Sequence, residues 1–241
     1  MEKLNKLYEG KAKILYSTPN SNQLIQYFKD EATAFNAQKK AVIENKGVLN
    51  NFLSEFFMLQ MEKNSIPTHF IQRLNQREQL IKKANIFALE VIVRNVSAGS
   101  LSKKLGIEEG VKFSHPIFEI CYKNDALQDP LINDDYALYA LKILSPQQLK
   151  IIKDQALKIN EVLTKIFYDV GIILVDFKIE FGLDCNDNKT IILADEISPD
   201  SCRLWDKDTL EKLDKDRFRR DLGGLSEAYL NVANRLKISI N

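Results

Sequence analysis

Residues 171–181, GIILVDFKIEF, constrain the fold most, because the pattern changes within a single predicted strand. The run from 172 to 175 is apolar on both faces, which is typical of a strand that is covered on both sides. Alternate side chains of a strand share a face, so Asp176, Lys178 and Glu180 lie on one face beyond this run. A strand that starts in a covered interior and continues into acids predicts a polar site within a buried sheet.

A second segment, residues 190–197 with the sequence TIILADEI, repeats this pattern and reaches Asp195. The two segments are predicted to form a hairpin through GLDCNDNK. If Phe181 lies near Thr190, Asp195 falls near Asp176 and joins the acidic face. A shift of one residue would move it to the opposite face, so the register stays open.

Two interpretations of the acidic face compete. The first is a solvated strand face on which acids and one lysine form ordinary ion pairs. The second is a metal site, because clustered carboxylates repel one another unless cations compensate them. Mg²⁺ takes oxygen ligands and often keeps water and substrate phosphates. The second interpretation predicts a metal and phosphate site on this pair of strands.

The rest of the chain predicts an α+β fold, since strands and helices mix without strict βαβ alternation. The clearest helix is 146–170, with Ser145 as N-cap and Gly171 as terminator. Residues 47–64 predict an amphipathic helix. The remaining expected elements are a hairpin around Glu9–Gly10, two strands between 79 and 94, and a helical tail from about 207. The expected helical stripes are Leu49, Phe52, Phe56 and Leu59 in the first helix, and Leu149, Ile152, Ala156, Ile159, Leu163, Ile166 and Val170 in the second.

Composition excludes several classes of protein. Acids and bases nearly balance, at a net charge of +1, which argues against a general nucleic-acid binder. We see no signal peptide and no apolar run long enough to span a membrane. Three widely spaced cysteines predict reduced thiols in a cytoplasmic protein. Two histidines make a zinc site improbable, and the common hydrolase, P-loop and Rossmann motifs are missing.

Three further segments are suited to binding phosphate or a substrate. RNVSAGS places Arg94 at a strand end and Ser100 at a helix start, where backbone N–H groups and an arginine can bind an anion. YEGKAK places Lys11 and Lys13 on one face after Gly10. SPDSCRLWD predicts a turn followed by Arg203 and Trp205. Taken singly, each also fits an ordinary connection, an exposed hairpin or a surface turn.

Several long segments, in order, resemble the SAICAR synthetase (phosphoribosylaminoimidazole-succinocarboxamide synthase) family. They are LVDFKIEFG, LEVIVRNVSAGS, YEGKAK, SLSKKLGIEEG, KNDALQDP, DEISPDSCRLWD and KDRFRRDLGGL. The resemblance covers residues 7 to 236. One departure is Ala88, where the family usually has proline, which affects the stiffness of the strand leading to Arg94.

The resemblance implies an ATP-dependent ligase of purine biosynthesis. It would join L-aspartate to the carboxylate of carboxyaminoimidazole ribonucleotide, with ATP converted to ADP and phosphate. The implied fold is one α+β domain over 1–241, with an ATP-covering sublobe at 1–85 and a substrate and metal sublobe at 86–241. ATP would lie between them, in an arrangement loosely similar to protein kinases and ATP-grasp enzymes. The implied partners are small molecules, with neither nucleic acid nor membrane, and the implied assembly is a homodimer.

The resemblance also implies a role for each site residue. Glu180 and Asp195 would hold Mg²⁺. The ATP phosphates would meet Lys11, Lys13 and Lys123, with Gly10 and Ala12 in the covering loop. The catalytic set would be Glu180, Asp195, Lys13 and Lys123. The ribonucleotide phosphate would meet Arg94, Ser100 and Arg203, and its ring and ribose would meet Asp176, Lys178 and Asp200. Adenine would meet backbone groups of Ile81, Lys82, Lys83 and Ile86. Asn36 is a further candidate in the substrate pocket.

Two alternatives remain at this point. A small-molecule kinase or another ATP-dependent ligase on the same fold would need the ATP and metal features, but not the RNVSAGS and SPDSCR segments. A regulatory module without turnover would be expected to lack the metal acids, and both Glu180 and Asp195 are present.

Overall fold

A five-stranded antiparallel sheet forms the N-terminal part of the computed structural model, which describes residues 1–34 and 38–240. In spatial order its strands are β1 (Lys6–Glu9), β2 (Lys13–Ser17), β3 (Gln23–Phe28), β7 (Glu78–Lys82) and β6 (Phe70–Arg73). The predicted hairpin around Glu9–Gly10 is confirmed as the β1–β2 connection. A separate hairpin follows β3 and consists of β4 (Glu31–Ala34) and β5 (Lys39–Val42).

A second sheet of seven strands surrounds the long strand β12. Its members are β8 (Ala84–Ile86), β9 (Leu89–Val96), β10 (Lys112–Tyr122), β11 (Leu131–Ile132), β12 (Ile172–Asp184), β13 (Ile191–Ala194) and β14 (Cys202–Asp206). The first half of β12 pairs with β9 and β14, and the second half pairs with β13 and β8. The start of β12 is apolar on both faces because both are covered: Ile172 and Leu174 belong to the main core, and Val175 packs in a second cluster with Val96, Ala98 and Trp205.

The first sheet ends at Lys82 and the second begins at Ala84, next to the sublobe boundary expected at 85/86. The helices are α1 (Lys46–Lys63), α2 (Gly99–Leu105), α3 (Pro146–Asp169), α4 (Asp216–Arg219) and α5 (Leu225–Arg235). Shorter turns of 3-10 and π-helix occur at Asp125–Leu127 and Tyr136–Ala140. Across the described ranges 1–34 and 38–240, no helix is both long and apolar enough to cross a membrane.

Helix α3 confirms the clearest prediction. Ser145 accepts a hydrogen bond from the Gln148 N–H, and the Gln148 side chain accepts one from the Ser145 N–H, which together form a capping box. Gly171 follows the helix at a φ of +73°, a conformation that glycine adopts without a Cβ clash. The predicted apolar stripe is buried from Leu149 to Leu163 against the second sheet.

Helix α1 forms where expected, but its predicted apolar face is only partly right. Leu49 and Phe52 are buried, whereas Leu59 is 39% exposed. The fully buried side chains of the helix include Phe57, whose ring centre lies 5.1 Å from that of Phe167 on α3. The helix packs against β6, α3 and α5, so neighbours on several sides decide its buried face.

The structure settles the β12–β13 register that the sequence left open. Phe181 pairs with Leu193 and not with Thr190, a difference of three residues from the register considered, because β12 extends to Asp184 before the turn. The C-terminal tail is not continuously helical from 207. Trp205 forms a β-bridge with Lys212, and two left-handed glycines at 223 and 224 separate α4 from α5.

Candidate active site

A cavity of about 880 Å³ lies between the β1–β2 turn, the β4–β5 hairpin and the second sheet. It collects most of the residues that the sequence predicts for ATP and metal binding. The predicted residues on its wall are Gly10, Lys11, Ala12, Lys13, Lys123, Lys178, Glu180, Asp195 and Asp200. Segments far apart in the chain therefore meet in one cleft.

The two predicted metal acids face this cleft, and each is paired with a lysine. Lys123 Nζ lies 2.6 Å from Glu180 Oε2. Lys13 forms an ion pair with Asp195 and a second with Glu196, at 3.1 Å. Glu180 is buried, and Asp195 has a φ of +67°, a conformation that aspartate tolerates better than most residues. The acids are therefore held in a charged, compensated cluster inside the cleft.

The pKa values in this cluster follow from its opposite charges. Burial by itself raises the pKa of Asp195, but Lys13 and Lys178 lower it more, so the pKa lies below the ordinary 3.8. Burial lowers the pKa of Lys13, but Asp195 and Glu196 raise it more, so the pKa lies above 10.5. Both groups are therefore charged at neutral pH, as phosphate and cation binding require.

The strand face that carries Asp176, Lys178 and Glu180 is buried, so it is not the solvated face of the first interpretation. Asp176 and Glu180 are only 4% and 6% exposed. Lys178, between them in sequence, donates to Glu90 at 2.7 Å and lies 3.6 Å from Glu180. Besides the single lysine on the strand, cations from other segments of the chain compensate these acids. The sequence pattern did not reveal those cations.

A second cavity, of about 200 Å³, adjoins the first and contains the predicted phosphate-binding residues Arg94, Ser100 and Arg203. The two cavities share four wall residues, which are Lys178, Asp200, Ser201 and Arg219. A ligand in one cavity would therefore meet a ligand in the other at this shared wall.

Asp176 brings the two arginines together. Its Oδ2 accepts hydrogen bonds from Arg94 Nη1 and from Arg203 Nη1, both at 2.8 Å. Arg94 Nε also donates to Glu119, at 2.7 Å. Helix α2, which carries Ser100, has only seven residues. The two guanidinium groups, more than the helix terminus, therefore supply the positive charge of this cavity.

The residues expected to contact adenine, unlike the other predicted ATP-binding residues, are not on the wall of the larger cavity. Of the described residues that line the larger cavity, none is Ile81, Lys82, Lys83 or Ile86. The Lys82 N–H already donates to the His69 carbonyl, at 2.6 Å, and the Lys83 N–H donates to the Asn22 carbonyl, at 2.8 Å. The position of adenine therefore stays a prediction, and these two N–H groups are already used by the fold. Asn36 lies outside the described residues.

The structure adds residues that sequence reasoning did not assign. Glu90, Glu196, Ser201, Lys215 and Arg219 line the larger cavity. Lys215 and Arg219 belong to the KDRFRRDLGGL segment that carried part of the family resemblance, so this segment was the available signal. Glu90 lies in strand β9, and only the folded chain identifies it, by its place on the cavity wall and its ion pair with Lys178.

His69 is a buried neighbour of the acidic cluster and predicts a pH effect on stability. Burial, opposed in part by Asp195, lowers the pKa of His69 from 6.5 to about 4. Between these values the unfolded chain binds a proton that the folded chain does not, so stability falls as pH falls from 6.5 towards 4. We expect His69 to contribute about 3 kcal/mol of this loss.

Urea unfolding of the wild type and of His69→Gln across this pH range measures the contribution. The variant is expected to lose less stability on acidification than the wild type. His115→Gln, at an exposed position, is the control and should retain the wild-type slope. Parallel curves for the wild type and His69→Gln would contradict the prediction.

Comparison with known proteins identifies the family. The SAICAR synthetase family model matches residues 6–236. A phosphoribosylaminoimidazole-succinocarboxamide synthase from Acidiphilium cryptum is 57% identical, covering 99% of this chain and 94% of its own.

Two solved structures share the fold closely. The crystal structure of phosphoribosylaminoimidazole-succinocarboxamide synthase from Ehrlichia chaffeensis has a TM-score of 0.96 at 50% identity, covering 98% of this chain and 100% of its own. A SAICAR synthetase (Type-2) in complex with ADP has a TM-score of 0.90 at 48% identity, covering 95% and 96%. With the cleft geometry and this similarity over nearly its whole length, the chain belongs to the SAICAR synthetase family.

Proposed function

We propose that the chain joins L-aspartate to the carboxylate of carboxyaminoimidazole ribonucleotide, with ATP converted to ADP and phosphate, as a step of purine biosynthesis. The observation that carries this proposal is the pair of adjoining cavities. One holds lysines and carboxylates suited to nucleotide phosphates, and the other holds two arginines around Asp176. A relative of known structure binds ADP, which supports nucleotide use.

The chemistry explains why two phosphate-binding regions must adjoin. A carboxylate is a poor acyl donor to an amine, because oxide would have to leave. Attack of the carboxylate oxygen on the γ-phosphorus of ATP releases ADP and forms an acyl phosphate. The aspartate amine then attacks the acyl carbon, loses a proton and displaces phosphate. The protein contributes positioning and charge neutralisation.

Three lysines are suited to the ATP phosphates, and acids hold each of them in the cleft. Lys11 donates to Asp125 at 2.9 Å, Lys13 pairs with Asp195, and Lys123 pairs with Glu180. Pre-ordered ammonium groups lose less entropy when phosphates bind. Gly10 precedes Lys11, and Ala12 lies between Lys11 and Lys13, in the covering turn, where small residues allow close approach of the backbone.

Glu180 and Asp195 fit a magnesium site that is completed by the substrate. Among residues 1–34 and 38–240, no group of three or more His, Cys, Asp or Glu side chains is arranged to hold a metal. Mg²⁺ commonly takes one or two carboxylates and fills its remaining positions with phosphate oxygens and water. The two carboxylates on the cleft wall match this requirement. When bound there, Mg²⁺ would neutralise the phosphates that Lys13 and Lys123 also face.

The arginine cavity is suited to the phosphate of the ribonucleotide. Arg94 and Arg203 present guanidinium groups, and Ser100 adds a hydroxyl. Lys178 and Asp200 line both this cavity and the ATP cleft, and Asp176 lines this cavity, so the three would orient the ring and ribose. The reacting carboxylate would then lie near the shared wall.

An omission experiment tests the proposal. ADP release would be measured with ATP, Mg²⁺, L-aspartate and the ribonucleotide, leaving out one component at a time. ADP that forms only when all four are present, together with the coupled product, supports the ligase. ADP that forms without aspartate would favour the kinase alternative, or an acyl phosphate lost to water, and the role of aspartate would be withdrawn if no coupled product is found.

Gly99 makes a specific prediction for the arginine cavity. It has a φ of +60°, and a Cβ at this position would overlap Arg203 Nη2. Gly99→Ala should displace the guanidinium and raise the KM for the ribonucleotide by about tenfold, with little change in the KM for ATP. Gly106→Ala is a matched control, since Gly106 has a φ of +65° and nothing within 4 Å of the added carbon. Equal effects of the two substitutions would contradict the prediction.

We also propose that the protein works in the cytoplasm as a homodimer. The cytoplasmic assignment is supported by three free cysteines, of which Cys121 and Cys202 are buried. The dimer is supported by the family resemblance alone. Sedimentation velocity tests the dimer by measuring the mass of the species in solution. A species with twice the mass of the chain supports it, and a species with the mass of one chain would exclude it.

A further inference from the structure

Asp200 occupies an unusual position in the wall that separates the two cavities. It lies on the turn between β13 and β14 and lines both cavities. Its backbone N–H donates to the Ser198 hydroxyl at 3.1 Å, which fixes the turn locally. A hydrogen bond to the backbone does not orient the carboxylate itself, so side chains from elsewhere must do so.

Two buried side chains donate hydrogen bonds to the Asp200 carboxylate, one to each oxygen, and Lys215 Nζ lies 4.0 Å from Oδ1. Lys46 Nζ donates to Oδ2 at 2.5 Å, and the Tyr229 hydroxyl donates to Oδ1 at 2.6 Å. Both donors are 0% exposed. Lys46 begins α1 and Tyr229 lies in α5, so two helices from opposite ends of the chain meet at one carboxylate. These contacts remove rotational freedom from Asp200.

A lysine that is buried at the first position of a helix, as Lys46 is, lowers the stability of the fold. A buried ammonium loses its hydration, and the N-terminus of a helix carries a positive partial charge that disfavours a cation. An apolar side chain of similar size commonly gives equal or greater stability than a buried ion pair. The presence of lysine here is therefore better explained by the orientation of Asp200 than by stability.

The ionisation states agree with this geometry. Burial by itself raises the pKa of Asp200, but Lys215 and Lys46 lower it more, so its pKa lies below the ordinary 3.8. Burial, followed by the charge of Asp200, raises the pKa of Tyr229 well above 10.0. Asp200 thus remains an acceptor and Tyr229 remains a donor across the physiological range.

We propose that Lys46 and Tyr229 are positioning residues that act through Asp200. An ionised carboxylate has about four lone-pair sites, and these two donors use one on each oxygen. The remaining sites are then presented at the wall between the cavities, where a ribose hydroxyl of a bound ribonucleotide can donate to them. This inference rests on the proposed function, because it requires a ribonucleotide in the arginine cavity.

Steady-state kinetics of Tyr229→Phe, with each substrate varied in turn, test the proposal. The substitution removes one hydroxyl and keeps the ring. The KM for the ribonucleotide is expected to rise about tenfold, and the KM for ATP is expected to stay unchanged. Tyr168→Phe, which removes a hydroxyl from a tyrosine that is 60% exposed, is the matched control. Equal increases in both KM values would overturn the proposal.

A double-mutant cycle gives a readout that a merely structural role would not produce. In an Asp200→Ala background, which removes both carboxylate oxygens, Tyr229→Phe should add no further increase in the KM for the ribonucleotide, since its effect passes through Asp200. Lys46→Met should behave in the same way, and if it does not fold, the tyrosine cycle decides alone. Additive effects in that cycle would overturn the inference. A wild type that binds ATP and not the ribonucleotide would instead overturn the proposed function, and the inference with it.

Discussion

Glu180→Gln and Asp195→Asn are each expected to abolish turnover while the protein remains folded. Each carboxylate faces the ATP cleft beside a lysine, and each is a proposed magnesium ligand. Removing one preorganised electrostatic group typically lowers kcat by roughly 10²–10³-fold, and a lost metal ligand should cost at least as much. We therefore expect ADP release to fall by about three orders of magnitude or more in each variant.

The fold should tolerate both changes for identifiable reasons. The amide oxygen of glutamine can still accept from Lys123, whose side chain is 41% exposed and stays hydrated. Asparagine tolerates the left-handed conformation that Asp195 adopts at a φ of +67°. Thermal unfolding checks this expectation, and calorimetric titration of ATP with and without Mg²⁺ checks the metal assignment separately from activity.

The control for these two variants is Asp154→Asn. Asp154 forms an ion pair with Lys150 at 2.6 Å on the exposed side of α3, remote from the cleft wall. Like the two site variants, Asp154→Asn removes a carboxylate that pairs with a lysine, but it should leave turnover unchanged. Near-normal turnover in Glu180→Gln or Asp195→Asn would contradict the metal assignment, as would an unchanged effect of Mg²⁺ on ATP binding.

Arg94→Ala is expected to weaken binding of the ribonucleotide by about 10- to 100-fold, and to weaken ATP binding far less. Arg94 is 4% exposed and is already bonded to Asp176 and Glu119. Its remaining N–H donors can meet a phosphate in the arginine cavity. Asp176 keeps Arg203 as a partner at 2.8 Å, so the substitution does not leave that carboxylate without a cation.

Arg94→Lys separates charge from geometry. Lysine keeps the positive charge but cannot form the two parallel hydrogen bonds of a guanidinium, so we expect an intermediate loss of ribonucleotide binding. Arg235→Ala is the control, because Arg235 forms an ion pair with Asp206 away from both cavities. Titration calorimetry with each substrate measures the effect. Equal weakening of ATP and ribonucleotide binding by Arg94→Ala would exclude a specific phosphate-binding role.

The local elements were predictable because neighbouring residues determine them. Ser145 and Gln148 cap α3 within one turn, and Gly171 ends it. The alternation in β12 placed Asp176, Lys178 and Glu180 correctly in one polar region. The family, and with it the list of site residues, followed from ordered motifs along nearly the whole chain.

The register of the β12–β13 hairpin could not be predicted in this way. The apolar runs fit several pairings, and the observed one differs by three residues from the one that would place Asp195 beside Asp176. Strict alternation would then place Asp195 on the other face. It reaches the cleft because β13 ends at Ala194 and the backbone turns into a left-handed conformation. A local backbone irregularity thus replaced the regular pattern on which the prediction depended.

By itself, the sequence determined the α+β class, the capped helix α3, the acid-bearing strands and the family. Only the tertiary structure decided how the charges are compensated. Lys13 meets Asp195 across 182 positions of the chain, and Lys46 meets Asp200 across 154. The physical reason is that caps and periodicity depend on residues within a few positions. Ion pairs in a cleft depend on how two sheets and several helices pack, which no short segment encodes.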